Sequence, residues 1–446
     1  MKIAIVDQPF GRINLPWTGA GGSIDIWIYE VARRLAQSCN VIVYTKRDLM
    51  RAQKKVEYDQ GVCYRRISTL FDDWYTDLQS VFQKLQRFPR INTLSRKIQS
   101  ILLLHNPKRP LFASKLYYLT YALQVAKDLK KEKCDVVQII NFSQFAPIFR
   151  TLNPEIKIVL NMRCEWLTQL DPAMIKSRLR EVDLICGVSE YITDKIRIRF
   201  PQFADRCQTI LNGVDVNYFV NKEDNGIPKK KYIKQLLFVG RISPEKGVHV
   251  LLDAFQKVIK RYPQAHLEII GDKKDVLDLE WFVTLGDDEK VSQIASFYNN
   301  NPEGNYFSFL QRQLLSLHIA NNVTFTGFIP NLQLINHYQN ADVLVNPSFS
   351  EAFGRSLIEA MACHVPVVAT RVGGMTEIVD DGKTGILAEP GDASALAEAI
   401  LRLLTNVSLQ ESMGKAGRRR AIEFYSWERI VERLLFEYEK ICDGDG

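Results

Sequence analysis

Leu236-Leu237-Phe238-Val239-Gly240-Arg241-Ile242-Ser243-Pro244-Glu245-Lys246-Gly247 is the stretch on which the reading of this chain turns. Four consecutive apolar residues without polar alternation suit a strand covered on both faces, as parallel sheets require. A glycine ends the run, a short charged turn follows, and 248–260 has helical spacing. Strand, glycine turn and helix form the repeating unit of a doubly wound α/β domain, whose ligands gather at the carboxyl ends of its strands. Arg241 and Lys246 fall at that end. Two fixed cations there suit a diphosphate, with each charge-assisted hydrogen bond contributing roughly 1.5–3 kcal/mol. Taken alone, the same spacing also fits a solvated charged turn.

The unit recurs on both sides. Downstream, strands are expected at 267–270 (closed by Gly271-Asp272), 323–325, 343–345 and 365–369, with a helix at about 355–363. Upstream, 3–6 closes on Asp7 and meets a Gly-rich turn, Gly19-Ala20-Gly21-Gly22-Ser23. A helix at 24–37 then aligns Ile28, Val31 and Leu35, and strands follow at 41–44, 136–140, 157–160 and 184–188. Two such series in 446 residues predict two doubly wound domains, 1–215 and 216–424, joined through Asn212-Gly213-Val214-Asp215 and the polar 221–231. A last helix, within 425–446, carries an apolar stripe of Ile430, Leu434, Leu435, Tyr438 and Ile441 that needs a docking surface. Segments at about 70–130 and 273–322 read as insertions.

Composition narrows the class. The chain is 46% hydrophobic and 24% charged, which excludes disordered and collagen-like proteins. The start, Met1-Lys2-Ile3-Ala4-Ile5-Val6-Asp7, has too short an apolar run for a signal peptide, and no run approaches the ~18 residues of a membrane span. Eight scattered cysteines without a Cys-x-x-Cys pair argue for reduced thiols and against zinc. A cytoplasmic protein is expected. Between Lys84 and Lys133, twelve Lys/Arg face only Asp128 and Glu132, within a chain of net charge +7. Such a run reads either as a solvated face or as a surface for anionic membrane or an anionic acceptor. No nucleic-acid-binding motif accompanies it.

A second chemistry-bearing stretch runs Asn346-Pro347-Ser348-Phe349-Ser350-Glu351-Ala352-Phe353-Gly354-Arg355-Ser356-Leu357-Ile358-Glu359-Ala360. A strand enters a glycine-bearing loop and a helix opens near Arg355, so the free N–H groups of its first turn form an anion site. Glu351 lies before that turn and Glu359 one turn past Arg355. Carboxylates beside a phosphate site make sense where they accept hydrogen bonds from sugar and ribose hydroxyls.

Glu351 and Glu359, with seven residues between them, resemble the Glu-x7-Glu signature of retaining glycosyltransferases of family 4. So do the opening stretch, Phe325-Thr326-Gly327-Phe328-Ile329-Pro330, Gly373-Gly374-Met375-Thr376-Glu377-Ile378-Val379, Gly382-Lys383-Thr384-Gly385 and Tyr425-Ser426-Trp427. The match spans nearly the whole C-terminal half in order. The N-terminal half matches through Gly21-Gly22 and Val188-Ser189-Glu190. The resemblance implies a GT-B fold: α/β, two doubly wound Rossmann-like domains facing across a cleft, with the C-terminal helix crossing back to the N-terminal domain. It implies that Arg241 and Lys246 hold the diphosphate, Glu351 the transferred sugar and Glu359 the ribose. Backbone at Phe328 would meet the base. Phe353, Gly354, Arg355 and Ser356 would offer groups near sugar and phosphate, and Gly21 and Gly22 would let backbone approach the phosphates. No metal or other cofactor is implied.

Many relatives carry a histidine after the strand at 157–160, whereas this chain reads Asn161-Met162-Arg163-Cys164-Glu165-Trp166. An arginine at that place brings a charge that cannot act as a base. Asn141, Arg163 and Glu165 are the candidates for acceptor contacts. The expectation is a retaining hexosyltransferase, independent of metal, acting from a nucleotide-sugar donor on a glycan, lipid-linked or small-molecule hydroxyl. A non-catalytic GT-B subunit or binding protein of a glycan assembly complex is the alternative.

Overall fold

The computed structural model describes residues 1–11, 13–48, 53–85, 110–220, 233–272, 294–297 and 305–444, with backbone alone at 78–85 and 111. Arg87, Arg90, Arg96, Lys97, Lys108 and Arg109 of the basic stretch, the expected linker at 221–231, and 273–293 with 298–304 lie outside the described residues.

Two separate sheets form, one from each half of the chain. The first contains β1 (Lys2–Val6), β2 (Asn40–Lys46), β3 (Val56–Asp59), β4 (Val62–Ile67), β5 (Val136–Ile140), β6 (Lys157–Met162), β7 (Leu184–Gly187) and β8 (Cys207–Thr209). Their order is β3-β4-β2-β1-β5-β6-β7-β8, parallel except for the β3–β4 hairpin. The second contains β9 (Gln235–Val239), β10 (His266–Ile270), β11 (Val323–Gly327), β12 (Val343–Asn346), β13 (Val367–Thr370) and β14 (Gly385–Ala388). Its order, β11-β10-β9-β12-β13-β14, is parallel throughout. Strand order reverses between β1 and β5 and again between β9 and β12. A crevice opens at such a reversal, because the two flanking connections leave on opposite faces of the sheet.

Part of the stretch read as an insertion at 70–130 belongs to the fold itself. The helix Leu119–Glu132 returns the chain from β4 to β5, and its Tyr121, Ala122, Val125 and Ala126 are completely buried. The β3–β4 hairpin was not anticipated. Its two-residue loop, Gln60-Gly61, takes positive φ at both positions, 48° and 80°, without the Asn-Gly or Asp-Gly pair that announces such turns in a sequence.

The terminal helix Trp427–Asp443 lies on the first sheet, although the chain reaches it from the second. Trp427, Ile430, Leu434 and Tyr438 share one core with Ile3, Ile5, Trp27 and Val41. The Tyr438 hydroxyl donates to Gln138 of β5 at 2.6 Å, and Arg34 donates to Glu428 at 3.0 Å. The two passages between the sheets run side by side: Val214 N–H donates to the Tyr425 carbonyl at 2.8 Å, and Val214 bridges Ser426. Gly213 is pressed onto Trp427, where a Cβ would stand 2.3 Å from the indole ring. Among the described residues no helix is long and apolar enough to cross a membrane.

Candidate functional site

β9 delivers the chain into Gly240, and the turn Pro244–Lys246 brings it round to Gly247. Gly247 has φ 68°, and a Cβ there would lie 2.1 Å from the Pro347 carbonyl oxygen. The loops after β9 and β12 can therefore press backbone to backbone only through glycine. That contact sets Lys246 Nζ 2.7 Å from Glu351 Oε2, both side chains largely buried. Arg241 stays more open, its Nη2 3.3 Å from Glu245. The Glu245 side chain is fully buried and also takes a 2.5 Å bond from Ser243 Oγ, while its carbonyl accepts from Phe349 N–H at 2.8 Å. One acid thus aims Arg241 and fastens the two loops together.

Gly354, at φ 111°, starts the helix Arg355–Ala362. Phe353 is buried and meets Tyr425 edge-on at 5.9 Å, which leaves only its backbone for a ligand. Arg355 Nε sits 3.4 Å from Glu359, and its buried Nη1 has no hydrogen-bond partner among the described residues. Ser356 follows, half-buried. Glu359 is itself buried, accepting from Tyr338 Oη at 2.6 Å and Asn331 Nδ2 at 2.8 Å. A ribose would have to share these oxygens. Phe328, just beyond β11, is 55% exposed.

Facing this crevice, Gly19 offers its carbonyl to Asn331 N–H at 3.0 Å, which brings the Gly-rich turn against the β11–β12 connection. Gly21 and Gly22 follow directly. Gly22 N–H already donates to Asp25 at 2.8 Å, so a carboxylate occupies the start of the helix Ser23–Leu35. Asp7, at the end of β1, is 1% exposed, and burial together with Asp25 pushes its carboxyl well above the ordinary range.

The candidate acceptor residues divide. Asn141 and Arg163 are buried against each other, the Asn141 side chain accepting from Arg163 N–H at 2.6 Å. The Arg163 guanidinium lies over the Trp27 ring at 4.7 Å and donates to Asn161 and Asn212. Burial holds Arg163 down to about 9, which still leaves it charged at neutral pH. Its surroundings are those of an organising cation. Glu165 accepts from Tyr191 Oη at 3.0 Å and Lys195 Nζ at 2.6 Å. Tyr191 in turn reaches the opposite loops, its ring lying beside Gly373, whose tight turn (a Cβ would stand 1.9 Å from the Glu351 carbonyl) supports the Glu351 backbone. The Ser189 hydroxyl donates to the Ala352 carbonyl at 2.7 Å, and the Glu377 carboxylate takes the N–H groups of Glu190 and Tyr191 at 2.8 and 2.5 Å. Loops and helix starts of the two halves are therefore hydrogen-bonded across the cleft beside Glu351.

Sequence reasoning did not assign roles to Glu245, Glu377, Asn331, Tyr338 or Asp7. Glu245 lay inside the opening stretch, four residues from Arg241, and Glu377 inside the Gly373–Val379 motif, so both had a signal. Asn331 and Tyr338 had none, because they meet Glu359 only through the fold.

This architecture is the GT-B fold, and the comparisons agree. Sucrose-phosphate synthase from Thermosynechococcus elongatus superposes with a TM-score of 0.69 at 20% identity, covering 99% of both chains. Anabaena Alr3699/HepE, solved in complex with UDP and glucose, superposes with a TM-score of 0.64 at 18% identity, covering 98% of this chain and 99% of that one. Residues 219–420 match the family described as Glycosyl transferases group 1. D-inositol 3-phosphate glycosyltransferase from Thermobifida fusca is 26% identical over 455 aligned positions, covering 98% of this chain and 93% of the relative. That family match is confined to the C-terminal half of the chain.

Proposed function

We propose that the chain is a retaining hexosyltransferase, which moves a hexose from a nucleoside-diphosphate sugar to an acceptor hydroxyl without a divalent metal. The observation that carries this reading is the Lys246–Glu351 pair at 2.7 Å, held where the β9 and β12 loops meet and flanked by Arg241 and the start of the helix Arg355–Ala362. A departing diphosphate needs positive charge fixed in advance. Arg241, Lys246 and the free N–H groups of that helix supply it, which is the electrostatic work a metal would otherwise do. Arg355, whose buried Nη1 has no hydrogen-bond partner among the described residues, opens that helix. Once a diphosphate draws Lys246 away, the Glu351 carboxylate is free to accept hydrogen bonds from the sugar. Glu359 would take the ribose and backbone at Phe328 the base.

In the transfer, the bond from the anomeric carbon to the phosphate oxygen breaks and a bond to the acceptor oxygen forms on the same face. The acceptor's proton passes to the departing phosphate oxygen, so no protein base is needed and Arg163 can stay charged. A nucleotide-sugar donor is supported by the UDP and glucose named for the Anabaena protein. A glycan or lipid-linked acceptor is our reading of a chain whose N-terminal half carries a basic surface.

Thermal shift with UDP, GDP and ADP tests the donor site. One base at about 100 times its dissociation constant should stabilise the fold by about 2.7 kcal/mol. Lys246→Ala should diminish the shift, and chelation of divalent metal should leave it unchanged. No shift with any nucleotide would overturn the reading in favour of a non-catalytic subunit.

A further inference from the structure

The helix Leu70–Leu85 leaves the carboxyl end of β4, the edge of the first sheet that borders the cleft, and its first turns are inside out. Its acids face the protein. Asp72 is buried and accepts from Thr120 N–H at 3.0 Å, from the Thr120 hydroxyl at 2.5 Å and from Tyr121 N–H at 3.0 Å. Asp73 takes Lys46 Nζ at 2.6 Å, Thr69 Oγ1 at 2.8 Å and Tyr118 Oη at 2.8 Å. The large apolar side chains face outward: Leu70 is 57% exposed, Phe71 76% and Trp74 65%. Leu116, two residues before Tyr118, is 49% exposed. Within 70–77 the remaining exposed residue is Asp77.

A helix that meets only water presents the reverse arrangement. Spending two carboxylates on inward anchors while leaving Trp and Phe outside suits an interface that is apolar beneath and charged at its rim. Among the described residues, exposed lysines accompany the patch. Lys115 is exposed next to Leu116. Lys127 and Lys131 are exposed on the helix Leu119–Glu132, at helical spacing from Gln124, which donates to the Ser68 carbonyl at 3.1 Å just before the patch. Tryptophan and phenylalanine at headgroup level, with lysines alongside, match an anionic bilayer surface. A second copy of this chain would bring the same lysines and repel them.

We propose that Leu70, Phe71, Trp74 and Leu116 insert into the headgroup region of an anionic membrane while Lys115, Lys127 and Lys131 contact its lipid phosphates. The cleft would then open beside a bilayer, where a membrane-borne acceptor is presented. This extends the transfer reading but does not need it.

The test uses the full chain with vesicles of phosphatidylcholine alone or mixed with phosphatidylglycerol, comparing wild type with a Phe71→Ser/Trp74→Ser double variant. We expect co-sedimentation with the anionic vesicles only, weakened by salt, and a loss of about tenfold or more in vesicle partition for the variant. The variant should keep its melting temperature, because both side chains are exposed, and should keep any nucleotide-induced shift. Equal partition of variant and wild type, equal binding to neutral vesicles, or a wild-type dimer in sedimentation that the double variant abolishes would each overturn the proposal. A nucleotide shift without vesicle binding would reject the membrane surface alone, and vesicle binding without a nucleotide shift would reject only the donor site.

Discussion

Lys246 has a rival claimant in Glu351, which holds it at 2.7 Å, and under the proposed function an incoming diphosphate would have to take it away. The acid and the cation of this pair therefore make separable predictions. Glu351→Ala should leave nucleoside-diphosphate binding intact or tighten it a few-fold, by freeing the lysine, while lowering turnover by about a hundredfold or more through lost contact with the transferred sugar. Lys246→Ala should weaken both. Calorimetry with the nucleoside diphosphate beside steady-state rates separates the outcomes, and weaker nucleotide binding in Glu351→Ala would refute this account of the pair. The cations were legible in the sequence because an apolar run and a glycine fixed where the strand ended. The company they keep was only partly legible. Glu359 stood in a recognisable spacing, yet Asn331 and Tyr338, which occupy its oxygens, arrive from the β11–β12 connection and leave no periodic trace.

At the start of the helix Val248–Arg261, directly after the opening turn, His249 shows how an element distant along the chain braces the loop of Glu351. Its Nδ1 lies 2.8 Å from Tyr306 Oη, at the start of the helix Tyr306–Ser316, and its ring stacks on Phe349 at 5.6 Å in the loop that carries Glu351. The sequence showed 273–322 only as a polar interruption, since these aromatic contacts join residues that are distant along the chain. Burial holds the His249 ring down to about 4 from an ordinary 6.5. In the folded state it stays neutral where the unfolded chain takes up a proton. This contribution to stability is thus complete above pH 6.5 and is lost as pH falls towards 4, with an upper bound of about 3 kcal/mol. Melting temperatures from pH 7 to 4 should fall less steeply for His249→Gln than for wild type. Parallel curves would show that the ring is not held neutral. The outward placement of Leu70, Phe71 and Trp74 was hidden from sequence for a similar reason: an amphipathic pattern shows that two faces differ, not which one meets the protein.

At the scale of the molecule, the two parallel sheets and the crossing of the last helix could be read from two series of strands and one unpartnered apolar stripe. What could not be read was that both passages between the sheets lie together, Val214 beside Ser426, and that Gly213 makes room for Trp427. A methyl group at Gly213 meets the buried indole at 2.3 Å, so Gly213→Ala should destabilise the fold by roughly 1–3 kcal/mol, a cost of overpacking. Denaturant unfolding would show it as a lower midpoint. An unchanged midpoint would mean that the two passages are free to move apart.

The crossing helix also bears on how the chain is made. Arg34 and Glu428 are 394 positions apart, and the core around Ile3 and Trp27 is closed by Leu434 and Tyr438. At a ribosomal rate of about 5–20 residues per second, the first sheet, complete at Thr209, waits roughly 10–50 s with part of one apolar face uncovered while the second is translated. The half of the protein that emerges first is the half completed last, and through that interval its open core is aggregation-prone surface of the kind that chaperones shield.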